Sequence, residues 1–205
     1  IVDLVDIVSE LQEDLPDCPA EFCEARFTRA ANDFLSRTRV WRGVVPVIGG
    51  ADTNRYRPYT RSSEKPVEVM ILSYGGHPLR KASMEQLARK SPGRGKPEVY
   101  AAREGNIVVS PDPGEDISEK LEAMVVLSVP RDMTTIPDSV YDRYGDVMRS
   151  GAIGRLATMP ARPWTDYNIG RMHLSYFSEE VERWQAKGSD DGNVGVPRRV
   201  RYGGY

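Results

Sequence analysis

The chain has 205 residues, 40% of them hydrophobic and 28% charged, which is enough apolar content to bury a core in one or two domains. A formal net charge of −2 excludes a protein whose bulk charge drives it onto nucleic acid or anionic membrane. No apolar run approaches the roughly 20 residues of a membrane-spanning helix.

No secretory pattern opens the sequence, and its start at Ile1 rather than at methionine leaves room for a preceding segment. Cys18 and Cys23 are the only cysteines. Two cysteines do not make a disulfide scaffold, so burial or a reducing compartment is expected.

The first elements read as helices. Leu4, Ile7, Val8 and Leu11 recur at helical spacing. Pro16 and Pro19 break the chain, and Pro19 can open a second helix because a missing N–H costs nothing there. Cys23, Phe27, Ala30, Phe34 and Trp41 follow as an apolar stripe, with Glu21, Glu24, Arg26, Arg29 and Arg37 on much of the other face. Such a stripe on a rod of about 30 Å must pack on other helices.

From Val44 the period changes. VVPVI, PVEVMILSY, HPLRKAS, PEVYAAR, NIVVS and KLEAMVVLSV are short and rich in β-branched residues. Gly75-Gly76 and Glu104-Gly105-Asn106 read as hairpin turns, where glycine supplies positive φ. MEQLARK reads as a short helix or turn, and SPGRGKP as a loop.

Helices return at Asp138, where Ser139 and Asp142 suit a capping box. Tyr141, Tyr144, Met148, Ala152, Leu156 and Met159 trace one face of the helix that follows, and Pro160 is expected to end it. In the corner GAIGRLATMPARPWTD, small residues at Gly151, Ala152, Gly154 and Ala157 allow close approach of a helix or a neighbouring subunit. Pro160 and Pro163 stiffen the link and Trp164 plugs the junction. Thr165 or Asp166 then caps a last helix whose inner stripe is Ile169, His173, Tyr176, Phe177, Val181 and Trp184, with Gly188 as its stop.

The fold expected is α+β. An α-helical bundle of about four helices (1–43 and 131–188) carries an inserted antiparallel β-sandwich or barrel-like domain (44–130) and an extended C-terminal tail (189–205). Phe27, Phe34, Trp41, Tyr144, Met148, Tyr176, Phe177 and Trp184 form the helix seam. The tail, GSDDGNVGVPRRVRYGGY from Gly188 onward, has too little apolar content for a core of its own. It does carry arginines and tyrosines, the residue types enriched at interface hot spots. Fully extended it reaches roughly 50–60 Å, at up to about 3.6 Å per residue.

Chemistry-bearing motifs are sparse. His77 and His173 are the only histidines. Neither sits in an HExxH or beside a carboxylate cluster at metal spacing, so both are expected to be structural. Cys18 and Cys23 do not form a CxxC pair. Cys23 falls on the apolar stripe, and Cys18 lies near a helix start, where a lowered pKa is a minor expectation. GRGKP at 93–97 is not a P-loop, because Pro97 stands where Ser or Thr must hold magnesium. No GxSxG elbow is present. No catalytic residue, metal ligand or cofactor is therefore assigned.

The arrangement resembles the head-to-tail adaptor, or connector, proteins of short-tailed bacteriophages. The likeness rests on FCEARFTRAANDFLSRTRVWRGVVPV at 22–47, IPDSVYDRYGDVMRSGAIGRLATMPARPW at 136–164, and the helix through Trp184. A phenylalanine-rich helix ends in a Thr-x-x-Trp-like element, here Thr38-Arg39-Val40-Trp41. An Ile-Pro-Asp start, a Gly-Ala helix and a Pro-x-x-Pro-Trp corner follow the β region.

The resemblance implies a structural virion protein at the portal vertex, assembled in the host cytoplasm. Such proteins form a homo-oligomeric ring, usually twelvefold, beneath the portal protein. The ring extends the DNA channel, passes genomic DNA without sequence-specific binding, and gives a tail or nozzle protein its platform. In this reading Arg198, Arg199, Arg201, Tyr202 and Tyr205 order on the portal. A binding module of another class competes with it, in which the β region recognises a peptide or carbohydrate through Tyr56, Tyr59, Tyr74 and Tyr100. Strand alternation is expected to bury some of these tyrosines. A hydrolase is a remote third reading.

Overall fold

The computed structural model describes residues 1–50, 55–89, 93–103, 105–113 and 120–190. In chain order its elements are β1 (Val2–Asp3), α1 (Leu4–Asp14), α2 (Ala20–Thr38), β2 (Arg42–Gly50), β3 (Arg55–Pro58), β4 (Lys65–Tyr74), β5 (His77–Pro78), β6 (Arg80–Lys81) and α3 (Met84–Ala88). They continue with β7 (Val99–Arg103), β8 (Asn106–Ser110), β9 (Leu121–Ser128), β10 (Thr135–Ile136), α4 (Asp138–Ala157) and α5 (Tyr167–Asp190). The class is α+β, as expected, and the expected tail lies outside the described residues beyond 190.

Two units divide the chain. The helical unit takes residues 1–41, 62–65 and 128–190, and the β unit takes 42–61 and 66–127.

In the helical unit, Leu4, Ile7, Val8 and Leu11 are the buried residues of α1, at the i, i+3, i+4, i+7 spacing read from the sequence. β1 pairs antiparallel with β10, which ties the start of α1 to the start of α4. Helix α2 buries Cys23, Phe27, Ala30, Ala31, Phe34 and Leu35. It stops at Thr38 rather than running on toward Trp41. Arg39 adopts a left-handed φ of 56° and its N–H bonds the Leu35 carbonyl, while the Thr38 hydroxyl donates to the Phe34 carbonyl at 2.7 Å. Trp41 is thus outside the helix, half-buried against the same core.

Helix α4 starts at Asp138 with Pro137 as its N-cap and no side-chain capping bond, so the expected Ser139–Asp142 capping box does not form. It ends at Ala157, ahead of Pro160, because the Thr158 hydroxyl turns back to the Gly154 carbonyl and Asp166 N–H takes the Ala157 carbonyl. Charged pairs fasten the helices. Arg149 of α4 reaches Glu10 and Asp14 of α1 at 3.2 and 3.1 Å, and the Tyr141 hydroxyl donates to Glu10 at 2.7 Å. Arg155 of α4 reaches Asp33 of α2 at 2.7 Å.

The β unit is one eight-stranded sheet in the order β5-β4-β9-β2-β3-β8-β7-β6. Its two ends are the same stretch of chain. Residues 77–78 pair antiparallel with β4, Leu79 N–H bonds the Leu72 carbonyl, and residues 80–81 pair parallel with β7. The sheet therefore nearly closes into a barrel, which leaves little free edge. The closing step is parallel, whereas an all-antiparallel sheet was expected. The Gly75-Gly76 turn has φ of 56° and 81°, as its hairpin role requires.

Barrel packing follows strand alternation. Val45, Val47, Tyr56, Ile107, Val109, Leu121, Ala123 and Val125 are buried. The buried Tyr100 hydroxyl donates to the Met70 carbonyl at 3.0 Å and so links β7 to β4. Tyr56 donates to Asp112 at 3.1 Å. The Tyr56 ring lies beside its cross-strand partner Gly49, where a Cβ would sit 2.2 Å from it. Helix α3 closes a true capping box between Ser83 and Gln86 and packs Leu87 on Val99 and Ala101.

Candidate assembly interface

The seam residues come together in the helical unit. Phe27, Phe34, Tyr144, Met148 and Phe177 are buried in one core, with Trp41 and Trp184 half-buried at its margin. Phe34 packs against Tyr144 and Phe177 at ring-centroid distances of 5.5 and 6.4 Å, and Trp184 meets Tyr144 edge-on at 5.2 Å. Such aromatic pairs contribute about 0.5–1.5 kcal/mol each beyond their area.

Small residues make the α4–α5 contact possible. Gly154 faces Leu174, and Gly170 faces Thr158; a Cβ would lie 2.7 and 2.6 Å from those side chains. Gly151 faces Phe177 in the same way. The small-residue face of α4 is therefore filled by the chain's own α5. Arg155 completes this seam by donating to the Gly151 carbonyl at 2.8 Å and lying 4.7 Å from the centre of the Phe177 ring. Burial pushes its pKa down, against the opposing charge of Asp33.

The corner is built as the proline–tryptophan pattern suggested. Trp164 is 8% exposed and its ring packs 5.6 Å from Phe22, with the Arg162 guanidinium over both rings. Asp166 caps α5 by accepting from the N–H groups of Asn168 and Ile169. Pro160 and Pro163 flank an exposed turn in which Ala161 has a φ of 56°.

Helix α5 differs from its expected stripe. Its inner line is Gly170, Leu174, Phe177, Val181 and Trp184, of which Gly170, Phe177 and Val181 are fully buried. Ile169 and Tyr176, expected inside, are 42% and 43% exposed, and Met172 is 62% exposed. Those three stand at i, i+3, i+7 and form one outward apolar row. The inner line was hard to see because Gly170 offers no side chain, which makes Ile169 the apolar residue that the eye takes. Its signal was the strict 3-4-3-4 step back from Trp184. The helix also passes Gly188 and runs to Asp190.

His173 is half-buried with its Nδ1 3.0 Å from the Ser150 hydroxyl, and His77 is exposed in β5. Cys18 and Cys23 are free and buried. Burial pushes the Cys18 thiol up to about 12, assisted by its contact with Cys23, and also raises Cys23. The lowered Cys18 pKa expected from the nearby helix start is therefore incorrect, because desolvation outweighs the helix dipole. No group of three or more potential metal ligands occurs among the described residues, and no helix there is long and apolar enough to cross a membrane.

Of the four tyrosines considered for a recognition surface on the β unit, Tyr56 and Tyr100 are buried, Tyr74 is half-buried and Tyr59 is exposed. Burial raises the pKa of both Tyr56 and Tyr100. Arg198, Arg199, Arg201, Tyr202 and Tyr205 lie outside the described residues.

Fold and site together define an α+β protein with a nearly closed, barrel-like sheet, a glycine-seamed helical unit and an apolar row left outward on its last helix. No family model matches the sequence, and no curated protein matches it.

Proposed function

We propose that this chain is a structural virion protein, a ring-forming head-to-tail adaptor that docks beneath the portal of a short-tailed bacteriophage. Its ring extends the DNA channel and gives the tail its platform. The observation that carries this reading is the outward row of Ile169, Met172 and Tyr176 on α5, the helix whose opposite face seals the core. An apolar row on a rigid, internally satisfied helix fits a repeated subunit contact. The resemblance of residues 22–47 and 136–164 to the adaptor family supports the same reading.

The remaining features agree with it. The C-terminal segment supplies Arg198, Arg199, Arg201, Tyr202 and Tyr205 for the portal. A net charge of −2 suits a conduit through which DNA slides, since strong phosphate binding would hold it. The reading assigns no catalytic step, metal or cofactor to the chain.

The test is incubation with isolated portal rings, followed by electron microscopy. The full chain is expected to add a second ring layer, and a chain lacking residues 189–205 to lose attachment. Failure of the full chain to attach would sink the adaptor reading. Undiminished attachment of the truncated chain would sink only the role given to the tail.

A further inference from the structure

An open groove of about 440 Å³ lies in the helical unit between the start of α1, the first half of α2 and the loop at 131–134. Its exposed apolar surface comes from Val5, which is 69% exposed, and Ala25, while Leu4 and Met133, which also line it, are buried. Glu21, Glu24 and Asp132 stand on its rim with Arg131, giving it a net negative charge. Glu21 complements the α2 dipole. None of the three carboxylates forms an ion pair among the described residues.

The sequence holds one segment of matching chemistry. Residues 196–205, VPRRVRYGGY, carry three arginines, two tyrosines and two valines, and no acidic side chain. We propose that this segment docks in the acidic groove of its own chain, with its arginines at Glu21, Glu24 and Asp132 and its valines and tyrosines on the apolar floor.

The chain is long enough for this. The Gln185 side chain donates to the Arg37 carbonyl, so the last turns of α5 lie beside the end of α2. From Arg37 back to Glu24 along α2 is roughly 20 Å at about 1.5 Å per residue. Helix α5 runs about 8 Å on from Gln185 to Asp190, and the 8 to 11 residues from Asp190 to Arg198 and Arg201 span up to roughly 29–40 Å. Exposed ion pairs bind weakly and are screened by salt. A tether supplies an effective concentration on the order of millimolar, which favours the chain's own segment over a second copy in dilute solution. The contact is thus a holding position, which any tighter partner of the segment displaces. It does not depend on the portal reading.

Paramagnetic NMR on the full chain tests it. A nitroxide is attached at Tyr205→Cys, the buried Cys18 and Cys23 being protected, and amide intensities are compared with the reduced label. The expected result is loss of intensity at residues 21–28 and at Thr134. That loss should vanish at high salt and in Glu21→Lys/Glu24→Lys. It should vanish equally when Arg198, Arg199 and Arg201 are changed to Glu, substitutions that leave the helices untouched. Unchanged intensity in the groove, or loss elsewhere alone, overturns the proposal. Loss that appears only when labelled chain is mixed with a separate isotope-enriched chain assigns the groove to a second copy and overturns it too.

Discussion

Gly151 of α4 lies so close to Phe177 of α5 that a Cβ at position 151 would stand 2.6 Å from the phenylalanine Cδ2 and 2.9 Å from the Arg155 Nη1. Glycine there costs the helix about 1 kcal/mol relative to alanine. The seam offsets that cost by letting a full aromatic ring reach the core.

Gly151→Ala sets these two terms against each other. Overpacking costs about 1–3 kcal/mol, against about 1 kcal/mol of helix propensity gained. Net destabilisation of up to about 2 kcal/mol is expected in urea unfolding. Gly154→Ala should behave alike, because its Cβ would meet the Leu174 backbone nitrogen at 3.0 Å as well as its side chain. An increase in stability at either position would contradict the seam.

Trp164→Ala removes the plug between the corner and α2. The ring is 8% exposed and packed on Phe22, so a loss of about 3–5 kcal/mol is expected. A melting temperature unchanged from the parent would place the ring at the surface.

The thiols make a chemical prediction. With Cys18 raised to about 12 by burial and Cys23 raised as well, neither is a thiolate at neutral pH. A disulfide reagent such as DTNB should react slowly until denaturant is added. The folded state retains a proton at Cys18 that the unfolded chain loses near its ordinary value of 9.0, so the associated stability is intact below 9 and declines as pH rises toward 12. Rapid native-state labelling would contradict the burial.

In the barrel, Gly49→Ala should be costly. Its Cβ would lie 2.2 Å from the Tyr56 ring and 2.7 Å from the Arg55 carbonyl, and backbone cannot swing away. A destabilisation of about 2–3 kcal/mol or more is expected by chemical denaturation. A neutral result would show that β2 and β3 pair in another register.

Much of this structure was legible in the sequence, for identifiable reasons. Helix α1 was clear because Leu4, Ile7, Val8 and Leu11 carry the whole pattern on one short amphipathic rod. Trp164 was clear because two prolines isolate it. The barrel closure was not legible. It depends on Leu79 passing two pairs of residues to different neighbours, β4 on one side and β7 on the other, and such long-range pairing leaves no local period. The two-residue strands β1 and β10 are too short to show alternation. The outward row on α5 was misread because Gly170 hides the true inner line. For the segment carrying Arg198 to Tyr205, composition was the whole signal.

The outward row also separates stability from assembly. Met172→Asp lies on an exposed position and should change folding stability by no more than about 0.5 kcal/mol. In the adaptor reading it places a charge in a subunit contact and should prevent ring formation on the portal. A melting curve with an assembly assay checks both halves.

Native mass spectrometry of the full chain added to isolated portal rings tests the adaptor reading most directly. The reading expects a single stoichiometry, one closed ring of identical copies, usually twelve, bound to each portal. A portal that stays bare, or one that gathers a variable number of copies without closure, would contradict it.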